Sequence, residues 1–354
     1  MTATRILPGD HAPWFHAQAL SGSPRYAFDS VAGRHVLLLF MGSARFAPTA
    51  AALSVVVAHR ALFDDAKACF FGITVDPEDA EMGRIAQRLP GLRFFLDYDR
   101  SVSRLYHAEE GPERYRPHWL VLDPALRVLG AFPVDRGEEA IACLRGAIEA
   151  APPEPHAPVL VVPDVLEPEL CQRLVGYYRD RGGVESGFMR EVDGQTVLVH
   201  DATHKQRRDV EVDDAELRNS VLARLARRLT PAVQRAFAFE PTRIERHLIA
   251  CYSAGAGHFR PHRDNTTKGT AHRRFAVTLN LNAGEYDGGD LRFPEFGPRT
   301  YRAPTGGAVV FSCSLLHEAT PVTRGERFAY LPFLYDEAAA EVREANLKYL
   351  GENG

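Results

Sequence analysis

The sequence predicts two domains, an α/β half followed by a mainly β half with flanking helices. Three observations carry this. A proline-rich stretch divides the 354 residues near the middle. Before it, apolar runs of strand length alternate with helix-length segments; after it, two helical segments give way to many short strands broken by Gly, Pro and Asn.

The divide is Ala150-Ala151-Pro152-Pro153-Glu154-Pro155-His156-Ala157-Pro158, which carries four prolines. Proline lacks the backbone donor that a helix or a central strand needs, so the stretch reads as an extended spacer. The expected layout is a first domain over 1–150, a linker over 151–158 and a second domain over 159–354.

In the first half, Val36–Phe40 is short, branched and wholly apolar, the pattern of a strand buried on both faces. A helix is expected over Ala50–Leu62, a strand over Ala68–Val75, and a helix over Glu78–Leu89 opened by Pro77. Leu92–Leu96, Trp119–Leu122 and Val128–Phe132 read as further strands, and Gly137–Ala150 as a closing helix.

In the second half, Pro168 opens a helix that runs to Arg181 and ends at Gly182-Gly183. Asp213 or Asp214 caps another, with Leu217, Val221, Leu225 and Leu229 in helical register and Pro231 as its stop. Thr242–Tyr252, Phe275–Leu281, Asp290–Phe293, Gly307–Phe311 and Phe328–Phe333 are the clearest strands, which suggests a distorted double-sheet jelly roll.

Composition narrows the function. The net charge is −4, so no global basic excess favours nucleic acid. No apolar run approaches bilayer length and the N-terminus lacks a signal-peptide core, so a cytoplasmic location is expected. The five cysteines are scattered without a CxxC pair and read as buried small hydrophobes.

Chemistry concentrates around His262-Arg263-Asp264. On an extended segment, residues i and i+2 project to one face, so the imidazole and the carboxylate can reach one ion. An Fe(II) site with open positions asks for a second imidazole, and His317 follows an apolar strand that can bring it to the pair. Arg327, ten residues further on, opens the next strand, where a guanidinium can pair bidentately with a carboxylate.

These residues resemble the Fe(II)/2-oxoglutarate oxygenases of the prolyl 4-hydroxylase type. The resemblance spans roughly Glu245 to Asp336. It is carried by the run from Tyr252 through His258-Phe259-Arg260-Pro261-His262-Arg263-Asp264, by Thr278-Leu279-Asn280-Leu281-Asn282, by Tyr286-Asp287-Gly288-Gly289-Asp290-Leu291, by Pro304-Thr305-Gly306-Gly307-Ala308-Val309-Val310-Phe311, and by His317 with Pro321-Val322-Thr323-Arg324-Gly325-Glu326-Arg327. It implies a double-stranded β-helix in which His262, Asp264 and His317 bind iron. Arg327 then binds the far carboxylate of 2-oxoglutarate, and Tyr252 turns its hydroxyl to the same cosubstrate. Many relatives carry tyrosine where this chain has Asn280, which becomes a candidate cosubstrate contact. Retention of Asp264 argues against a halogenase. The implied cofactors are Fe(II) and 2-oxoglutarate, with ascorbate (vitamin C) as an accessory, and the implied outcome is hydroxylation with release of succinate and CO2.

The substrate side is less defined. His258, Arg260, Asn265, Lys268, His272 and Arg273 flank the ligand segment and are candidates for a cationic mouth. Residues 184–212 are a candidate lid, and Lys205-Gln206-Arg207-Arg208, balanced by nearby acids, reads as solvated surface. A peptide or protein side chain and an amino acid-like metabolite both remain open as substrates. A catalytically inactive binding protein with the same fold is the alternative.

The first half, opening with Leu7-Pro8-Gly9-Asp10-His11-Ala12-Pro13, resembles the peroxiredoxin branch of thioredoxin-like domains. The position matching that family's peroxidatic cysteine is Ala47, in Phe40-Met41-Gly42-Ser43-Ala44-Arg45-Phe46-Ala47-Pro48-Thr49. Without a thiol no sulfenic acid forms there. A redox-inactive scaffold for substrate presentation or homodimer formation is expected.

Overall fold

The computed structural model describes residues 6–109, 111, 114–150 and 155–351. The chain divides into two compact units, Met1–Pro155 with Pro294–Gly297, and His156–Phe293 with Pro298–Gly354. A linear reading of the chain places Pro294–Gly297 in the second domain, so this short piece departs from it. Residues 151–154 of the expected linker lie outside the described residues.

The first unit is built on a seven-stranded mixed sheet. Its spatial order is Tyr26–Ala27, His16–Ala19, Leu92–Leu96, Ala68–Thr74, His35–Gly42, His118–Leu122, Val128–Pro133. The apolar run at Val36–Phe40 is the centre of His35–Gly42, which pairs parallel with Ala68–Thr74 and antiparallel with His118–Leu122. Leu37, Leu39 and Met41 pack on Ala52, Val56, Ile141 and Leu144 of the helices Ala47–Ala58 and Gly137–Glu149. The helix expected over Glu78–Leu89 stops after Glu81. Gly83 takes φ +65°, and Asp79 is drawn into a buried network with Ala44 N, Thr74 Oγ1 and Arg84, which holds the chain in turns.

In the second unit, the helix Pro168–Arg181 ends where Gly182 turns to φ +65°. Asp214 caps the next helix by accepting from Leu217 N at 2.9 Å. Pro231 does not stop it. Ala215–Arg224 continues through a π-turn at Leu225–Leu229 into Thr230–Phe237. Pro231 falls in the first turn of that last segment, and the widened turn before it absorbs the missing donor.

These helices cover one face of a nine-stranded sheet ordered Arg243–Glu245, Phe333–Tyr335, Phe275–Asn280, Glu326–Tyr330, Leu248–Ser253, Arg208–Glu211, Val184–Glu185, with Ala308–Ser312 and Leu160–Val162 joined to it. Side chains on a strand alternate faces. Ile249, Cys251, Val277, Leu279, Phe328 and Tyr330 therefore meet Leu174, Val221 and Leu225 in the helix-side core. Their immediate neighbours Tyr252, Thr278 and Arg327 project to the opposite face. A five-stranded sheet, ordered Lys205–Gln206, His258–His262, His317–Ala319, Leu291–Arg292, Thr300–Tyr301, supplies the remaining site residues.

Candidate metal centre

His262 and His317 are direct partners across two antiparallel strands. A register shift between Phe259 and His262 carries the chain on to Asp264, whose N–H donates to Cys313 O at 3.0 Å. The result brings one donor atom from each of His262, Asp264 and His317 within 4.8 Å of one another. Asp264 lies 3.5 Å from His262 Nε2 and 3.3 Å from His317 Nε2.

The outer contacts fix which nitrogen faces inward. His262 Nδ1 lies 2.7 Å from Arg260 O and His317 Nδ1 lies 3.0 Å from Leu315 O. A carbonyl only accepts, so each Nδ1 carries the proton and each Nε2 presents its lone pair to the centre. Burial and the neighbouring His317 push His262 down to about 4, which keeps it neutral. Phe259 stacks on His262 with ring centres 3.5 Å apart, and Phe311 meets His317 edge-on at 4.5 Å. Two imidazoles and one carboxylate, walled by aromatic rings, fit a divalent iron ion with coordination positions to spare.

Tyr252 and Arg327 line the same cavity. Arg327 is 2% exposed, and its Nε and one terminal nitrogen are buried with no hydrogen-bond partner among the described residues. A buried guanidinium with free donors is costly unless an anion completes it, and a dicarboxylate's far end would do so. Asn280 is buried but is not a lining residue; its amide donates to Ala303 O at 2.7 Å.

The six residues named as candidates for a cationic mouth are not among those lining this cavity. His272 and Arg273 turn to Glu245, at 2.9 and 2.6 Å, and His272 is 2% exposed. Lys268 lies over the Tyr349 ring, Asn265 donates to Ser314 Oγ, and His258 contacts the carbonyls of Ala256 and Thr203. Arg260 is exposed. The run at Lys205–Arg208 is not solvated surface either. Lys205 and Arg207 are 4% and 5% exposed, while Gln206 and Arg208 are exposed. Arg207 and Arg246 are the cations that line the cavity beside Arg327, together with Phe259, Thr278, Leu331 and Phe333. The period-two alternation of Lys205, Arg207 and Asp209 is the signal that points to this inward face. Residues 184–212, the candidate lid, hold the hairpin Phe188–Val192/Gln195–Val199 and contribute Arg207.

In the first unit, Ala47 opens the helix Ala47–Ala58 and is exposed. Burial pushes the Cys69 thiol up to about 12 and also raises Cys143, so neither favours the thiolate.

The profile of the 2OG-Fe(II) oxygenase superfamily matches residues 247–335. A domain of that superfamily occupies the C-terminal region, and with the intact triad it makes the protein an Fe(II)- and 2-oxoglutarate-dependent dioxygenase. Among known proteins, the chain is similar to a PKHD-type hydroxylase of Synechococcus sp. (strain JA-2-3B'a(2-13)), 28% identical over 181 residues, covering 48% of this chain and 75% of that one. It is also similar to the crystal structure of a Pseudomonas putida prolyl-4-hydroxylase, at 21% identity and a TM-score of 0.39, covering 51% and 94% of the two chains. The structure of peroxidoxin BcpB from Mycobacterium tuberculosis aligns at 20% identity and a TM-score of 0.33, covering 40% of this chain and 98% of that one.

Proposed function

We propose that His262, Asp264 and His317 hold Fe(II), that Arg327 and Tyr252 seat 2-oxoglutarate, and that the protein hydroxylates a C–H bond of an amino acid-like metabolite or of a peptide or protein side chain. The observation that carries this is the pair of inward-facing Nε2 atoms beside the Asp264 carboxylate, with both Nδ1 atoms tied to backbone carbonyls. Fe(II) with 2-oxoglutarate supplies an oxidation in which O2 is reduced, the cosubstrate becomes succinate and CO2, and a substrate C–H becomes C–OH.

The protein's part is binding and shielding. Arg327 orients the cosubstrate by a bidentate pair, Tyr252 offers its hydroxyl, and the Phe259 and Phe311 rings keep water from the ligands. The two β-sheets support a double-stranded β-helix, and the seven-stranded sheet with its flanking helices supports a thioredoxin-like first domain. With Ala47 at the thiol position, that domain acts as a scaffold or dimerisation module. No described helix is long and apolar enough to cross a membrane, and the reading places the protein in the cytoplasm without nucleic acid as a partner.

The test is an anaerobic titration of metal-free protein with Fe(II) and then 2-oxoglutarate, followed by the visible charge-transfer absorption of the chelate. A band in the native protein that is lost in His262→Ala supports the reading. A folded native protein that gives no band refutes it.

A further inference from the structure

Three arginines, Arg207, Arg246 and Arg327, line one cavity with the metal triad. The proposed function gives a partner to Arg327 alone. Arg207 is 5% exposed; it donates to Asp209 at 2.6 Å, to Ser186 Oγ at 3.2 Å and to the Tyr252 hydroxyl at 3.3 Å, and its Nε is buried without a partner among the described residues.

Arg246 lies in the two-residue connection between Arg243–Glu245 and Leu248–Ser253, with φ +64°. A non-glycine residue in that left-handed region is held there by its surroundings, and such residues cluster where a side chain must be aimed. The Arg246 guanidinium lies 5.3 Å from the Phe333 ring centre and reaches Asp209 only at 3.9 Å. It makes no hydrogen bond among the described residues.

The charges do not close. Asp264 belongs to the metal. In the proposed complex, 2-oxoglutarate spends one carboxylate on Arg327 and the other on the iron. Asp209 pairs closely with Arg207, which leaves the buried Nε of Arg207 and the partly exposed Arg246, its side chain 30% exposed, without a close counter-ion at the cavity wall. Like charges held together in a partly dry site repel, and an arriving anion relieves them. A guanidinium edge with one further N–H matches the two oxygens and single charge of a carboxylate.

We propose that Arg246 and Arg207 form an anion subsite for the substrate, so that the molecule hydroxylated carries a carboxylate, either as a free acid or as an acidic side chain of a peptide. This rests on the assignment of Arg327 to 2-oxoglutarate.

The experiment loads the full-length chain with redox-inert Mn(II) and 2-oxoglutarate, then measures manganese-induced NMR relaxation of acetate and acetamide protons at constant ionic strength. Saturable enhancement for acetate, little for acetamide, is expected. Arg246→Gln should reduce the acetate effect about tenfold, and Arg246→Lys should restore part of it. Equal enhancement of the two probes, an acetate effect unchanged in Arg246→Gln, or acetate that displaces 2-oxoglutarate would each overturn the subsite. Relaxation of 2-oxoglutarate itself is read first: its absence means that the oxygenase reading has failed, not the subsite. Competition then separates the sources. Displacement of acetate by free L-glutamate assigns a free acid, and displacement by an end-blocked tripeptide with a central glutamate assigns an acidic side chain. Displacement by neither overturns the carboxylate class.

Discussion

Tyr252 and Arg327 are cross-strand partners, and the Arg327 guanidinium carbon lies 4.9 Å from the centre of the Tyr252 ring. The ring covers one face of the guanidinium and leaves its edge open, which suits the pair to its proposed role of seating one end of 2-oxoglutarate.

Arg327→Gln removes both charge and fork geometry. At roughly 3 kcal/mol for a buried charge-assisted pair, the KM for 2-oxoglutarate should rise on the order of 100-fold. Arg327→Lys should fall between, because a point charge replaces the fork. Initial rates of succinate release at varied 2-oxoglutarate decide this; an unchanged KM removes Arg327 from the cosubstrate site.

His317→Ala deletes a ligand held 3.3 Å from Asp264. Fe(II) affinity should drop on the order of 100-fold or more, since even outer contacts of a metal ligand are worth 10- to 100-fold. Anaerobic chelator competition measures the affinity, and circular dichroism checks that the fold persists.

Glu245 gives a pH signature. Burial alone would raise its carboxyl, but the hydrogen bond from His272 and the charge of Arg273 hold it at about 2. An unfolded glutamate titrates near ~4.3, so as the pH falls the unfolded chain takes up the proton first. The stabilisation is therefore complete above ~4.3 and is lost toward pH 2. Glu245→Gln should destabilise the second unit by roughly 3 kcal/mol at neutral pH, because it strands Arg273. Urea midpoints across that range should show the difference shrinking as the pH falls.

Ala47→Cys puts a thiol at the first position of a twelve-residue helix, where the dipole favours the anion. Its pKa should fall below the ordinary ~8.5 and peroxide should convert it to a trappable sulfenic acid. Mass spectrometry after dimedone labelling reads this; a thiol of ordinary pKa would show that Ala47 is not the position matched to the peroxidatic cysteine.

Much of the site was legible because its signals are local. The His262-Arg263-Asp264 spacing on extended chain implies a shared face, and Pro168 and Gly182 mark both ends of one helix. What escaped depends on distant partners. His272 and Arg273 follow the ligand segment closely, yet Glu245 draws them away from the cavity. Arg207 sits in a run whose acids suggest solvent exposure, yet the sheet buries alternate members. The helix after Pro77 ends early because Asp79 is engaged by Thr74 and Ala44, contacts that no periodicity announces.

The alternation along Leu248–Ser253, Phe275–Asn280 and Glu326–Tyr330 also bears on how such a protein diversifies. Neighbouring residues there serve separate ends, Phe328 the helix-side core and Arg327 the cavity. Losing one residue from such a strand would reverse every assignment beyond it, turning a guanidinium into the core and a phenyl ring toward the metal. Point substitution on cavity-facing positions leaves the framework alone. Lineages carrying this architecture should therefore explore new substrates by exchanging side chains within the strands, while changes in length are confined to the connections between them.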